Sequence, residues 1–133
     1  MGYVTHADGF ISIEPPLTWG QIKESPFLPE GYGFGNEDCD IALVITEVSV
    51  ETDEGILVVR TAPKVQQRHA EEPRNNSIEA HLQALVDAFP GHEFTGRFNM
   101  EGEDSGDLWR VKVIGRKVRR FDPTFVWPEE SEL

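Results

Sequence analysis

Along residues 93–100, Phe94, Gly96, Phe98 and Met100 alternate with Thr95, Arg97 and Asn99, and along 108–114 Trp109, Val111 and Val113 alternate with Arg110 and Lys112. A period of two marks a strand with one covered face. Gly115-Arg116 then predicts a tight turn into a last strand over 117–121, so these elements close in a hairpin. Earlier, residues 40–51 and 55–61 are rich in Val, Ile, Leu and Thr, and the turn residues Thr52-Asp53-Glu54-Gly55 between them predict another hairpin. In its first arm Val44, Thr46, Val48 and Val50 share one face, and Glu47, Ser49 and Glu51 share the other. One side of such an arm needs a cover. The predicted cover is a helix beginning at Asn76, where Asn76 and Glu79 have capping-box spacing and Ile78, Leu82, Leu85, Val86 and Phe89 recur at helical spacing up to Pro90-Gly91.

Residues 3–13 alternate loosely, and the strand they predict is expected to stop at Pro15-Pro16, which cannot donate to a ladder. Thr18 and Gln21 form a second capping-box pattern with Leu17 and Ile22 at the staple positions, predicting a short helix to about Ser25, before Pro26. Residues 62–73 are polar and read as a long internal loop. The expected fold is α+β: an antiparallel sheet with two helices on one face, in the ferredoxin-like βαββαβ order, plus a C-terminal β-hairpin. Residues 1–133 are read as one domain, with 129–133 an unpacked acidic tail.

Charge adds an asymmetry to this picture. The 133 residues carry 24 acids and 12 bases, a net charge of −12. The first 59 hold 11 acids and one base, Lys23, whereas the remainder is nearly balanced and includes six bases without an acid between Arg110 and Arg120. An acidic surface repels duplex phosphates and attracts basic partners, so direct duplex binding is not expected of the whole domain. A single cysteine, Cys39, permits no internal disulfide, and the longest aliphatic run, 41–45, is far below the roughly 20 residues of a membrane span. A cytoplasmic protein with no membrane contact is expected.

Candidate chemistry is sparse. Two acidic clusters, at 37–40 and 101–107, have the oxygen donors of a divalent-cation loop without EF-hand spacing, and Asp104, Ser105 and Gly106 suit a plain turn. No metal and no cofactor is assigned. The run 31–36, with Tyr32 and Phe34 between glycines, lacks the Lys-Ser/Thr of a P-loop and reads either as loop packing or as a binding surface. His6, His69, His81 and His92 are scattered, and Cys39 has no base near it in sequence. Trp127, in an apolar segment before the tail, either folds back along a sheet edge or docks on another chain.

Residues 3–19, with Gly9-Phe10-Ile11-Ser12-Ile13-Glu14-Pro15-Pro16-Leu17 at the centre, resemble the opening of a family of small uncharacterised proteins of actinobacteria and their phages, a domain of unknown function. So do Gly102-Glu103-Asp104-Ser105-Gly106-Asp107-Leu108-Trp109-Arg110-Val111 and Val126-Trp127-Pro128. The resemblance implies a phage or prophage accessory factor that inhibits or regulates a host protein, in the manner of a counter-defence protein, and carries no catalytic residue with it. The residues themselves lead to three functional expectations. The first is a small acidic non-enzymatic binding protein, aided by partial DNA mimicry, that meets a host or self protein through Tyr32, Phe34, Glu37, Asp38, Asp40 and Trp127. The second is a nucleotide-binding sponge or small enzyme with Arg97 and Arg110 in a pocket at a subunit interface. The third is a structural or assembly protein, a homo-oligomer.

Overall fold

The computed structural model describes residues 4–32, 39–69, 71–73, 78–104, 106–124 and 126–127. Phe34, Glu37 and Asp38, the predicted cap Asn76 and the tail 129–133 lie outside them. The described chain forms strands β1 (Val4–Thr18), β2 (Ile41–Thr52), β3 (Gly55–Gln67), β4 (Glu71–Pro73), β5 (Glu93–Glu101), β6 (Leu108–Ile114) and β7 (Lys117–Phe121), with helices α1 (Trp19–Ile22) and α2 (Ile78–Ala88). The class is α+β. The sheet runs β2-β3-β1-β5-β6-β7, with the short β4 added to the start of β1, and every pairing is antiparallel.

The register sorts the side chains into two faces. Ile11 pairs with Val65, which in turn pairs with Leu43; Ile13 pairs with Phe94, Phe98 with Val111, and Met100 with Trp109. All of these are buried, and they form one cluster with Ile78, Leu82, Leu85 and Val86 of α2. Each aliphatic side chain so buried contributes about 1.5–3 kcal/mol, so the helix is held on this face by its apolar stripe. Its C-terminal end is tied down by polar contacts. Gln83 donates to the Arg116 carbonyl (3.0 Å) and accepts from the Val118 N–H (2.8 Å). Arg116 in turn donates to the carbonyl of Val86 in the last helical turn and to those of Phe89 and His92 in the segment that follows it. The opposite face of the sheet carries Phe10, Lys64, Arg97, Asn99, Arg110, Lys112, Arg119 and Phe121, and no helix of the described residues covers it.

Several expectations are corrected. β1 does not end at Pro15-Pro16 but continues to Thr18. The prolines fall inside a break in register, between Ser12↔Lys64 and Leu17↔Ala62, where no ladder bond is required of them. The first helix is one turn instead of two. Its capping signal holds, with the Thr18 N–H on Gln21 Oε1 at 2.8 Å and Leu17 and Ile22 both buried, but the chain turns off at once through Ser25 toward Pro26. Residues 62–73 are not a long loop: β3 runs to Gln67 and β4 occupies 71–73. The polarity there arises from Lys64 and Gln66 facing the uncovered side while Val65 is buried.

The cover of the β2–β3 hairpin also differs. Helix α2 packs on the side of Ile41 and Leu43, not on the side of Val44, Thr46, Val48 and Val50. Only the root of the arm is covered: its 12 residues span about 40 Å at 3.4 Å per residue, and those buried are Ile41, Ala42 and Leu43 at its start. The hairpin therefore outruns its helix, and from Thr46 to Val59 every residue is exposed.

Candidate functional site

Two surfaces stand out, and the outlying part of the hairpin is the first. Cross-strand pairs place Val48 with Val59 and Val50 with Leu57 on one face, and Glu47 with Arg60, Ser49 with Val58 and Glu51 with Ile56 on the other. The first face is wholly aliphatic. On it Leu57 is 54% exposed, with Val48, Val50 and Val59 exposed beside it, while Ile56, 71% exposed, and Val58 lie on the reverse face. Scattered exposed apolar residues are ordinary, whereas a contiguous set on one projecting element marks a contact surface. Around it the charge is acidic: Glu47, Glu51, Asp53 and Glu54 against Arg60, which pairs with Glu47 at 2.7 Å.

The root of the hairpin is braced by aromatic residues. The Arg60 guanidinium lies 5.2 Å from the Trp19 ring centre and 5.9 Å from that of Tyr32, and the two rings are 5.8 Å apart. Tyr32, in a run read either as loop packing or as a binding surface, is half-buried against the core and directs its hydroxyl toward Glu47 at 3.5 Å. Asp40 belongs to a different place, where its N–H donates to His81 Nδ1 at 2.9 Å and its carbonyl accepts from the Arg68 N–H at 2.8 Å. Trp127 is 66% exposed in the segment after β7. Thus Tyr32 adjoins the hairpin, while Asp40 serves the junction between α2 and the start of β2.

The second surface is the uncovered sheet face. Here the structure brings Arg97 and Arg110 together on neighbouring strands, with Arg97 opposite Lys112, and Arg110 opposite Asn99 and bonded to it at 3.1 Å. A shallow groove of about 520 Å³ opens there, lined by Asp8, Asn99, Leu108, Arg110, Phe121 and Asp122. A larger one, about 660 Å³, lies beside Pro29 and Tyr32 at the β2 edge. Its Arg68 is committed to the carbonyls of Pro26, Cys39 and Ile41, so that groove has less free charge to offer. Sequence reasoning marked Lys112 and Arg119 within the basic run 110–120 but did not join them to Phe10, Lys64 and Phe121. The signal was present in part, because Arg110 and Lys112 alternate with Trp109, Val111 and Val113 and so had to share the face away from the core.

Nucleophilic chemistry finds little support. Cys39 is buried, and burial pushes its thiol above the ordinary value of 9.0 against the weaker opposite pull of the Ile41 backbone and Arg68. A thiol so placed is held in its unreactive form. His81 Nδ1 accepts the Asp40 N–H, which occupies the lone pair a base would use. Among the described residues no three His, Cys, Asp or Glu side chains converge as a metal set. In the acidic 101–107 loop the Gly102 N–H donates to the Asp107 carbonyl (2.7 Å) and the Asp107 N–H to that of Asp104 (3.1 Å), the bonds of a compact turn. No helix of the described residues is long and apolar enough to cross a membrane.

No curated protein and no solved structure matches the chain. The model of one family matches it over residues 1–133, from the strand that carries Phe10 to the segment that carries Trp127, and the chain belongs to that family, a family of unknown function (DUF6205).

Proposed function

We propose that this protein is a non-enzymatic binding module that docks a protein partner along the β2–β3 hairpin. The observation that carries the proposal is the aliphatic face of Val48, Val50, Leu57 and Val59 on an arm that outruns its own helix. Nothing in the fold requires those side chains to be apolar, and leaving them in water forgoes roughly 25 cal/mol for each Å² that a partner would cover. The acidic residues around this face, Glu47 and Glu51 on the reverse of the ribbon and Asp53 and Glu54 at its turn, give the partner its chemistry: an apolar cleft edged by Lys or Arg. Such docking suits the inhibition or regulation of a host protein. Mimicry of DNA is confined to this acidic border, since the centre of the surface is aliphatic.

The ferredoxin-like reading of the fold is carried into this proposal. The antiparallel run β2-β3-β1-β5 supports it, while β4, β6 and β7 extend that plan and the one-turn α1 reduces it.

The test is affinity capture with the full chain and with a Val50→Lys/Leu57→Glu variant, whose exposed changes leave stability within about 0.5 kcal/mol per site. A protein captured by the natural chain, lost by the variant and retained by Lys112→Gln supports the proposal. Identical captured sets from the natural chain and the hairpin variant overturn it. Light scattering of the same proteins identifies the case in which the partner is a second copy, because a dimer lost in the hairpin variant needs no other protein.

A further inference from the structure

We propose that the uncovered sheet face binds single-stranded nucleic acid, through a cross-strand row of cations flanked by two exposed phenylalanines. The register places Phe10 of β1 opposite Arg97 of β5, Arg97 opposite Lys112 of β6, and Lys112 opposite Arg119 of β7. The row therefore spans three strand spacings, about 14 Å. Like charges directly opposite each other destabilise a sheet. No ion pair joins Arg97, Lys112 or Arg119 to a carboxylate among the described residues. A row of three that the fold itself disfavours is an anion site waiting for its counter-charge.

Two further cations widen it. Lys64 Nζ sits 4.6 Å from the centre of the Phe10 ring, and Arg110 stands in the next row opposite Phe121. Phe10 is 48% exposed and Phe121 42%, with Lys112 Nζ 5.7 Å from the Phe121 ring centre. Exposed rings set among Arg and Lys on a sheet face favour bases that are free to stack, and a duplex offers none. The carboxylates of this face are Asp8, Glu14, Glu93 and Glu101, in the neighbouring or outer rows, and Asp122, which lines the groove beside Arg110 and Phe121 and pairs with Arg120 at 3.0 Å. The remaining negative charge acts through a Debye length of about 8 Å at physiological salt, so a local positive row operates in spite of the net −12.

The experiment is fluorescence anisotropy of the full chain with labelled single-stranded oligonucleotides of about 12 residues, RNA and DNA, beside a duplex of the same length and poly-glutamate. The expected result is single-strand binding with Kd on the order of 1–100 µM at about 50 mM salt, with log K falling against log salt at a slope of about −2 to −3. Phe10→Ala and Phe121→Ala each weaken it roughly tenfold. Lys112→Gln lowers the magnitude of the slope by about 0.7 without lowering the melting temperature, a combination that a purely structural lysine would not give. Lys23→Gln, on the end of α1, changes nothing. Absence of single-strand binding at about 100 µM protein overturns the proposal. So does duplex binding of equal strength that ignores Phe10→Ala, and so does poly-glutamate binding as tightly as the oligonucleotide, which makes the row a site for acidic protein.

Discussion

Gly9 and Gly96 set the spacing on which the open face depends. Both have positive φ, +95° and +124°, and a Cβ on either would come within 2.5 Å of a backbone oxygen of the neighbouring strand, that of Arg97 for Gly9 and that of Phe10 for Gly96. They flank the directly paired Phe10 and Arg97, and only glycine lets β1 and β5 approach there. Gly96→Ala is expected to lose at least about 2 kcal/mol in urea unfolding; a loss below about 0.5 kcal/mol contradicts the close approach. Cys39 is a residue of a different kind, closed to chemistry by its burial. Its reaction with a disulfide reagent is expected to be on the order of a hundredfold slower in the native protein than in urea. Equal rates would show an open thiol. Because the folded state holds the thiol above 9.0, its contribution to stability is complete below that pH and is lost as pH rises beyond it.

At the scale of elements, the hairpin and the helix end make opposite predictions. The arm beyond Glu47 and Arg60 has no covered side chain, so replacing residues 48–59 by Asn-Gly is expected to leave the melting temperature within a few degrees. A loss of more than about 2 kcal/mol would mean that the arm is part of the core. Arg116, by contrast, sits at φ 68°, a conformation that glycine adopts more readily, yet it donates to three carbonyls in and just after the last turn of α2. Arg116→Gly is expected to destabilise by about 1–3 kcal/mol, and a gain in stability would assign the arginine no capping role. These contrasts explain what the sequence disclosed. β5, β6 and α2 were legible because each buries one face at a regular period, as Phe94, Phe98, Met100 and Trp109 do, and β7 because Gly115-Arg116 marks the turn into it. β4 and the end of β1 were not, since a three-residue strand has no period to read and Pro15-Pro16 are tolerated only because a register break removes the bonds they cannot make. The hairpin's faces were legible too. Its lack of cover was not, because that depends on where the helices come to rest on the sheet, which no pattern within β2 or β3 discloses.

For the whole molecule, the division of charge along the chain becomes a division of surfaces. The acidic first part supplies the aliphatic hairpin with its negative border, and the later strands supply the cation row on the uncovered face of the same sheet. Arg97 and Arg110, foreseen as ligand residues, lie on that face, and Asp40, foreseen on a partner surface, bonds through its N–H to His81 of α2. The central claim is that the hairpin is where a protein partner docks. Its most direct measurement is site-specific photo-crosslinking in lysate, with a photoreactive residue at position 57 of the full chain and, for comparison, at the exposed Glu79 of α2. A discrete protein adduct from position 57 and none from position 79 is the predicted result; no adduct at 57, or the same adducts from both positions, would contradict it.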